Sequence, residues 1–241
     1  MSRLRFANLA TITAGLLALT VALPLDAPLH DLTFRYVVSH EVRLVANGLT
    51  QLGTAWAAAG LLGSLAIVAH RTADPVLFRA SLGGLAGVGL GGLTIQIVKH
   101  LACRARPRLV DGWGIDASGP RVAPPASTAT FGFFHWPCLR DSRYQGFPSG
   151  HATVAFAVAA TLCHAVPARR RLWFAIAGGI ALSRILLNAH FLSDVIGAAL
   201  LGWWAGRGGI RLVDHFVPLP ASQASIPANG RAERGGSAPT V

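Results

Sequence analysis

Three short stretches of this chain carry residue types suited to handling a phosphoryl group. The first is Lys99-His-Leu-Ala-Cys-Arg-Ala-Arg106-Pro107 and the second is Phe147-Pro148-Ser149-Gly150-His151. The third starts at Ser183-Arg184 and runs through His190 to Asp194. Phosphoryl transfer needs an in-line nucleophile, positive charge or donors on the equatorial oxygens, and a proton for the leaving group. Lys99, Arg106 and Arg184 can supply the charge, and arginine can do so through a two-pronged fork. Ser149 and Gly150 follow Pro148 at the expected start of a helix, where free N–H groups and the positive dipole end attract anions. His190 and Asp194 are spaced i, i+4 and share one face if a helix starts there. A carboxylate on one imidazole nitrogen fixes the tautomer and makes the other nitrogen a better nucleophile. His190 is therefore the expected nucleophile and Asp194 its orienting partner. His151 has no acidic residue near it in sequence and suits the general acid.

Each stretch also has a plain structural reading. Lys99 to Arg106 reads as a basic cluster beside a membrane, and Pro-Ser-Gly-His as a helix N-cap with an incidental histidine. His190 and Asp194 read as a helix-start ion pair worth about 1 kcal/mol or less. What argues for chemistry is the combination, and combination requires elements that bring the three together.

Apolar runs supply such elements. A membrane span needs about 20 mostly apolar residues. Six candidates occur, at about Phe6–Leu25, Leu49–Val68, Leu82–Val98, His151–Val166, Leu172–Leu187 and Val195–Ile210. The fourth and fifth are short and must borrow polar neighbours. With six spans, the end of the third, the start of the fourth and the turn between the fifth and sixth fall on one face, so all three stretches meet at one depth. Ionisable groups there are costly unless they face a cavity or one another. The N-terminal run, preceded by Arg3 and Arg5, is read as an uncleaved first span, because it is long for a leader and Leu23-Pro24-Leu25-Asp26 is a poor cleavage site. Asp26 to Gly48 is read as a segment lying along the membrane surface. The polar stretch from Leu101 to Phe147 is long enough to be functional or disordered. Residues 1–217 are expected to form one domain and residues 218–241 a disordered tail.

Composition narrows the function classes. Hydrophobic residues make up 52% and charged residues 13%, against about 25% charged in a soluble domain, so lipid is the expected solvent. The formal charge is +11, carried almost entirely by arginine, with Lys99 the single lysine. These residues sit at the ends of apolar segments, which is a topology signal rather than a nucleic-acid footprint. Arg3/Arg5, Arg71/Arg79, Arg169 to Arg171 and Arg207/Arg211 mark a cytoplasmic face. Arg104, Arg106, Arg108, Arg121, Arg140 and Arg143 fall on the opposite face and need another reason. Only ten acidic residues are present, with no carboxylate cluster or Cys/His spacing for a metal, so no metal and no cofactor are expected.

The pattern Lys-x6-Arg-Pro, Pro-Ser-Gly-His, Ser-Arg-x5-His-x3-Asp resembles the type 2 phosphatidic acid phosphatase (PAP2) superfamily, matching at Lys99, Arg106, Pro107, Pro148, Ser149, Gly150, His151, Ser183, Arg184, His190 and Asp194. The resemblance implies an all-α bundle, here of six transmembrane helices, with its site at the periplasmic end. It implies a phosphohistidine at His190, phosphate held by Lys99, Arg106, Ser149, Gly150 and Arg184, and His151 as the acid. The arginine bias with abundant Ala and Gly suggests a high-GC bacterium, hence an inner-membrane enzyme. The expected partner is a phospholipid or isoprenoid phosphate in the bilayer: undecaprenyl diphosphate, phosphatidylglycerol phosphate, phosphatidic acid or lipid A. A lipid phosphotransferase would use the same site and stays open, as does the oligomeric state. A vanadate-dependent haloperoxidase would be a soluble relative, which the spans disfavour. A transporter or scaffold would tolerate loss of His190. Arg140 and Arg143 could meet a second phosphate or a sugar acid, or be solvated loop charges. Cys103 and Cys138 share the outer face, where a disulfide could tie the loop to the third span. Cys163 reads as a buried small apolar residue.

Overall fold

The computed structural model describes residues 2–33, 39–110, 115–116, 119–120, 132–134, 138 and 141–217. It is all-helical but for a two-residue hairpin, Ile115–Asp116 (β1) against Gly119–Pro120 (β2). The helices are α1 (Ser2–Leu32), α2 (His40–Leu52), α3 (Ala55–Arg71), α4 (Pro75–Ala102), α5 (Pro107–Val110), α6 (Gly150–Ala165), α7 (Arg170–Leu186) and α8 (Leu192–Phe216). Starts follow local chemistry. Asp74 accepts from the N–H groups of Val76 and Leu77 with Pro75 in the first turn of α4, and Thr54 accepts from Ala57 at the start of α3. Each satisfies backbone donors that a helix end leaves open.

The centre of the bundle is α4, α6 and α8, with α3 on α4, α7 on α6, α2 on α7 and α1 on α8. This packing is driven by small residues. A Cβ on Gly87 of α4 would lie 2.8 Å from the Cα of Gly206 of α8, and one on Gly209 would lie 2.1 Å from the carbonyl oxygen of Gly83. One on Gly202 would lie 2.3 Å from the carbonyl oxygen of Thr153 in α6. The backbones of α4, α6 and α8 are thus in direct contact, the arrangement by which helices associate where water supplies no driving force. The buried core is largely alanine, while Leu17, Leu93 and Trp56 point outward.

The expected spans need adjustment. Among the described residues, two helices are long and apolar enough to cross a membrane, Leu9–Leu32 and Pro75–Ala102. The expected second span is broken: α2 and α3 meet at Gly53 and Thr54 with a 53° bend, and count as a third span only if taken together. The Asp26 to Gly48 segment does not lie along a surface as one piece. Asp26 belongs to α1 and is 1% exposed, and His40 to Gly48 belong to α2. The carboxylate of Asp26 finds buried partners, which a surface reading misses. α6 has 16 residues, which at about 1.5 Å per residue falls short of a hydrocarbon core of about 30 Å. The 218–241 tail lies outside the described residues.

Candidate active site

Lys99 lies in the last turn of α4, Gly150 and His151 open α6, Arg184 lies in the last turn of α7, and Asp194 lies in the first turn of α8. Helix direction therefore puts all of them at one end of the bundle. The other end is marked by an ion pair between Arg79, near the start of α4, and Asp214, near the end of α8.

The Ser-Arg-x5-His spacing has a local cause. α7 ends at Leu186, and Asn188 takes a left-handed conformation with φ 54°, which short polar side chains tolerate. The chain reverses, and the carbonyl of Arg184 accepts from the N–H groups of both Ala189 and His190, at 3.0 and 3.2 Å. The expected nucleophile and one of its expected phosphate ligands are thus locked to a single turn.

His190 is 3% exposed. Its Nδ1 lies 2.8 Å from the carbonyl oxygen of Gly146 and 3.5 Å from Oδ2 of Asp194. Both are acceptors, so Nδ1 carries the proton and Nε2 keeps the lone pair. Burial depresses the His190 pKa to about 4, against the opposing hydrogen bond and charge of Asp194. Asp194 accepts from the N–H of Phe191 at 2.9 Å and from the guanidinium of Arg104 at 2.6 Å.

Around this imidazole the expected phosphate ligands gather. Ser149 caps α6 and is fully buried, and its N–H donates to the Asp194 carbonyl at 3.1 Å. Its hydroxyl makes no capping bond and, like Nε of Arg106 and Nε of Arg184, is buried without a hydrogen-bond partner among the described residues. Buried polar atoms are nearly always paired, so three orphans at one place fit a site shaped for a multidentate acceptor. The Lys99 ammonium lies beside Gly150, 3.9 Å from where a Cβ would stand. Lys99, Arg106, Arg184 and His151 are within electrostatic reach of one another. Arg106 keeps its charge at neutral pH, although burial and the neighbouring Arg108 and Arg184 lower its pKa to about 10. Among the described residues no group of three or more His, Cys, Asp or Glu is placed to hold a metal.

A cluster of three cations and an anion-ready helix start beside a neutral imidazole suits transfer of a phosphoryl group. The PAP2 superfamily profile matches residues 81–217, which contain every residue of that cluster. The chain belongs to the PAP2 superfamily. Among curated relatives, lipid A 1-phosphatases of Rhizobium johnstonii and Rhizobium etli are 28% and 27% identical over 117 residues, 48% of this chain. The aligned region spans only 41% and 43% of those relatives' own lengths. Two solved PAP2-like structures share the fold. Aquifex aeolicus LpxE aligns at TM-score 0.55 and 20% identity, covering 78% of this chain and 95% of its own. A transmembrane PAP2 type phosphatidylglycerolphosphate phosphatase from Bacillus subtilis aligns at 0.56 and 18%, covering 87% and 96%.

Within this PAP2 site several participants escaped the sequence reading. Gly146 supplies the acceptor nearest the imidazole, and a backbone carbonyl has no sequence signal. Thr50 of α2 accepts from Arg184 at 2.6 Å. Arg104, one of the arginines left without a reason, is 1% exposed and bonded to Asp26 and Asp194. Cys103 and Cys138 form a disulfide with Cα atoms 5.2 Å apart, tying the loop to the end of α4. Arg143 is exposed and pairs with Asp141 at 2.7 Å, and Arg140 lies outside the described residues. Cys163 is half-buried rather than buried, because it borders a cavity of about 360 Å³ at the opposite end of the bundle.

Proposed function

We propose that this chain is a membrane phosphatase that hydrolyses a phosphate monoester or diphosphate of a lipid through a phosphohistidine. Nε2 of His190 attacks phosphorus in line, forming the N–P bond as the P–O bond to the lipid breaks. The leaving oxygen keeps the bonding pair and takes a proton from His151. Water then attacks phosphorus and gives a proton back to His151 as the N–P bond breaks, its electron pair returning to the imidazole, and phosphate leaves. Lys99, Arg106, Ser149, the α6 N-terminus at Gly150 and Arg184 hold the equatorial oxygens throughout. The observation that carries this reading is the set of buried, unpartnered Arg106 Nε, Arg184 Nε and Ser149 Oγ beside an imidazole whose Nδ1 is tied down.

A lipid substrate is supported by an apolar cavity of about 240 Å³ bordered by Leu52, Ala155, Ala159, Trp173, Ile176 and Ile180. It starts next to Gly53, whose Cβ position would be 3.1 Å from Cβ of His151. The names of the relatives favour lipid A and phosphatidylglycerol phosphate among the candidates. The proposal includes six crossings, with α6, α7 and α8 joining the apolar helices, the site at the periplasmic face of a bacterial inner membrane, residues 1–217 as one domain, and 218–241 as a disordered tail.

The decisive experiment measures phosphate release from undecaprenyl diphosphate, phosphatidylglycerol phosphate, phosphatidic acid and lipid A, with His190→Ala and His151→Ala as controls. Free phosphate without an added acceptor is expected, and transfer only to a second lipid would favour the phosphotransferase. Since side-chain cations carry the charge, activity is expected to survive EDTA. Vanadate is expected to inhibit strongly as a five-coordinate mimic. Chelator-sensitive turnover would overturn the mechanism.

A further inference from the structure

We propose that Asp26 and Arg104 form a buried relay that positions the reacting imidazole, so that the N-terminal helix completes the site. The inference rests on the phosphohistidine reading but concerns residues outside the defined positions of the three motifs. Asp26 lies in α1, outside residues 81–217.

The Arg104 guanidinium bridges two carboxylates, with one nitrogen 2.6 Å from Asp194 Oδ1 and another 2.6 Å from Asp26 Oδ2. All three side chains are at most 1% exposed. Ser193 closes the ring. Its N–H donates to Asp26 at 2.9 Å, its hydroxyl contacts Asp26, and that hydroxyl also accepts from Arg104 at 2.5 Å. The rings of Phe133 and Phe191 flank the guanidinium, with centroids 4.8 and 4.6 Å away. Such a group is expensive to bury unless its charge is paired, and here the two carboxylates share that pairing, so each depends on the other.

Arg104 also reaches His190 by a second route. Its carbonyl accepts from the Gly146 N–H at 2.8 Å, and the Gly146 carbonyl in turn faces His190 Nδ1 at 2.8 Å. One residue thus fixes both acceptors beside Nδ1: Asp194 through its side chain and Gly146 through its backbone. Asp26 holds the far side of the guanidinium and keeps it from being drawn wholly onto Asp194. Two carboxylates around one guanidinium leave one formal negative charge in excess, next to a ring that becomes positive when phosphorus bonds to Nε2. Asp26 and Arg104 touch no substrate atom and act as positioning residues.

Asp26→Asn tests this, since it preserves shape and removes the charge. The expected result is a fall in kcat of at least tenfold with KM within twofold, in protein that stays monodisperse in detergent. A second readout needs no turnover. Vanadate must bond to Nε2, whereas inorganic phosphate needs only the cations, so the ratio of vanadate to phosphate affinity should drop about tenfold. Wild-type kcat and an unchanged ratio, or a loss confined to KM, would overturn the relay. If Asp26→Asn does not fold, Ser193→Ala replaces it, with a threefold to tenfold fall in kcat expected and wild-type kcat counting against the relay. Should wild-type enzyme release phosphate from no lipid, the phosphatase reading fails, and the vanadate-to-phosphate ratio still decides the relay.

Discussion

In the proposed mechanism His190 acts as the nucleophile at neutral pH, and two acceptors that hold its Nδ1 proton and leave Nε2 bare suit it to that role. Its replacement by alanine should cost on the order of 10³-fold or more in turnover, as removal of a covalent catalyst does. His151→Ala should cost about 10²–10⁴-fold, the range for general acids. Both are checked by phosphate release from detergent-solubilised enzyme. The depressed pKa sets the pH profile. With the folded value near 4 and an unperturbed value of about 6.5, His190 stays neutral down to acid pH in the free enzyme. The acid limb of kcat/KM should have its midpoint below pH 5, and a limb at 6.5 would show that burial does not control the group. The same shift has a stability sign. The unfolded chain takes up the proton first as pH falls, so His190 costs the fold stability progressively from about pH 6.5 toward 4. At this scale the sequence was readable where side chains cluster. Lys99, Arg106, Ser149, Arg184 and His190 announce themselves by type and spacing. Gly146 did not, because it acts through its carbonyl, and Arg104 did not, because nothing in sequence places Asp26 beside it.

Between α4 and α8 there is no room for a side chain, and that close approach keeps Lys99 and Asp194 at fixed separation. Gly209→Leu, whose Cβ would meet the α4 backbone at Gly83 and Gly87, should force the helices apart at a cost of about 1–3 kcal/mol or more, seen as a lower thermal midpoint together with reduced turnover, although the residue lies far along α8 from the chemistry. The disulfide makes a second prediction. Cys103 and Cys138 are 35 residues apart, a loop whose closure stabilises by about 3–4 kcal/mol in the chain-entropy account. Dithiothreitol, or the double change Cys103→Ala and Cys138→Ala, should lower the thermal midpoint and slow turnover, because Arg104 follows Cys103 directly. Unchanged values under full reduction would show that the loop holds itself. Helix positions were legible from apolar runs, several of which are bounded by Pro, Gly or Arg. The break at Gly53 was not, since the apolar pattern continues across it. The buried fate of Asp26 was hidden for a similar reason, as a carboxylate at the end of an apolar run reads as a boundary.

Seen whole, the described part of the molecule is largely alanine inside and leucine outside, the inverse of a soluble protein, and arginines among the described residues lie at both ends. One group lies at the Arg79–Asp214 end and the other surrounds the site. On a Cys163→Ser background, a cysteine at Ser142 should react with an impermeant maleimide in intact cells, and one at Ala168 only after permeabilisation. Labelling of both from the same side would sink the proposed topology. The two ion pairs have a further consequence. α4 and α8 are stapled at their far end by Arg79 and Asp214, bridged near the site by Arg104 and Asp194, and fused between by glycine contacts. The close backbone contact in that pair leaves it poorly suited to parting for the proposed lipid substrate. Under the proposed function, lateral entry is expected from the other flank, where α2 and α3 bend by 53° at Gly53 beside His151 and could swing like a door.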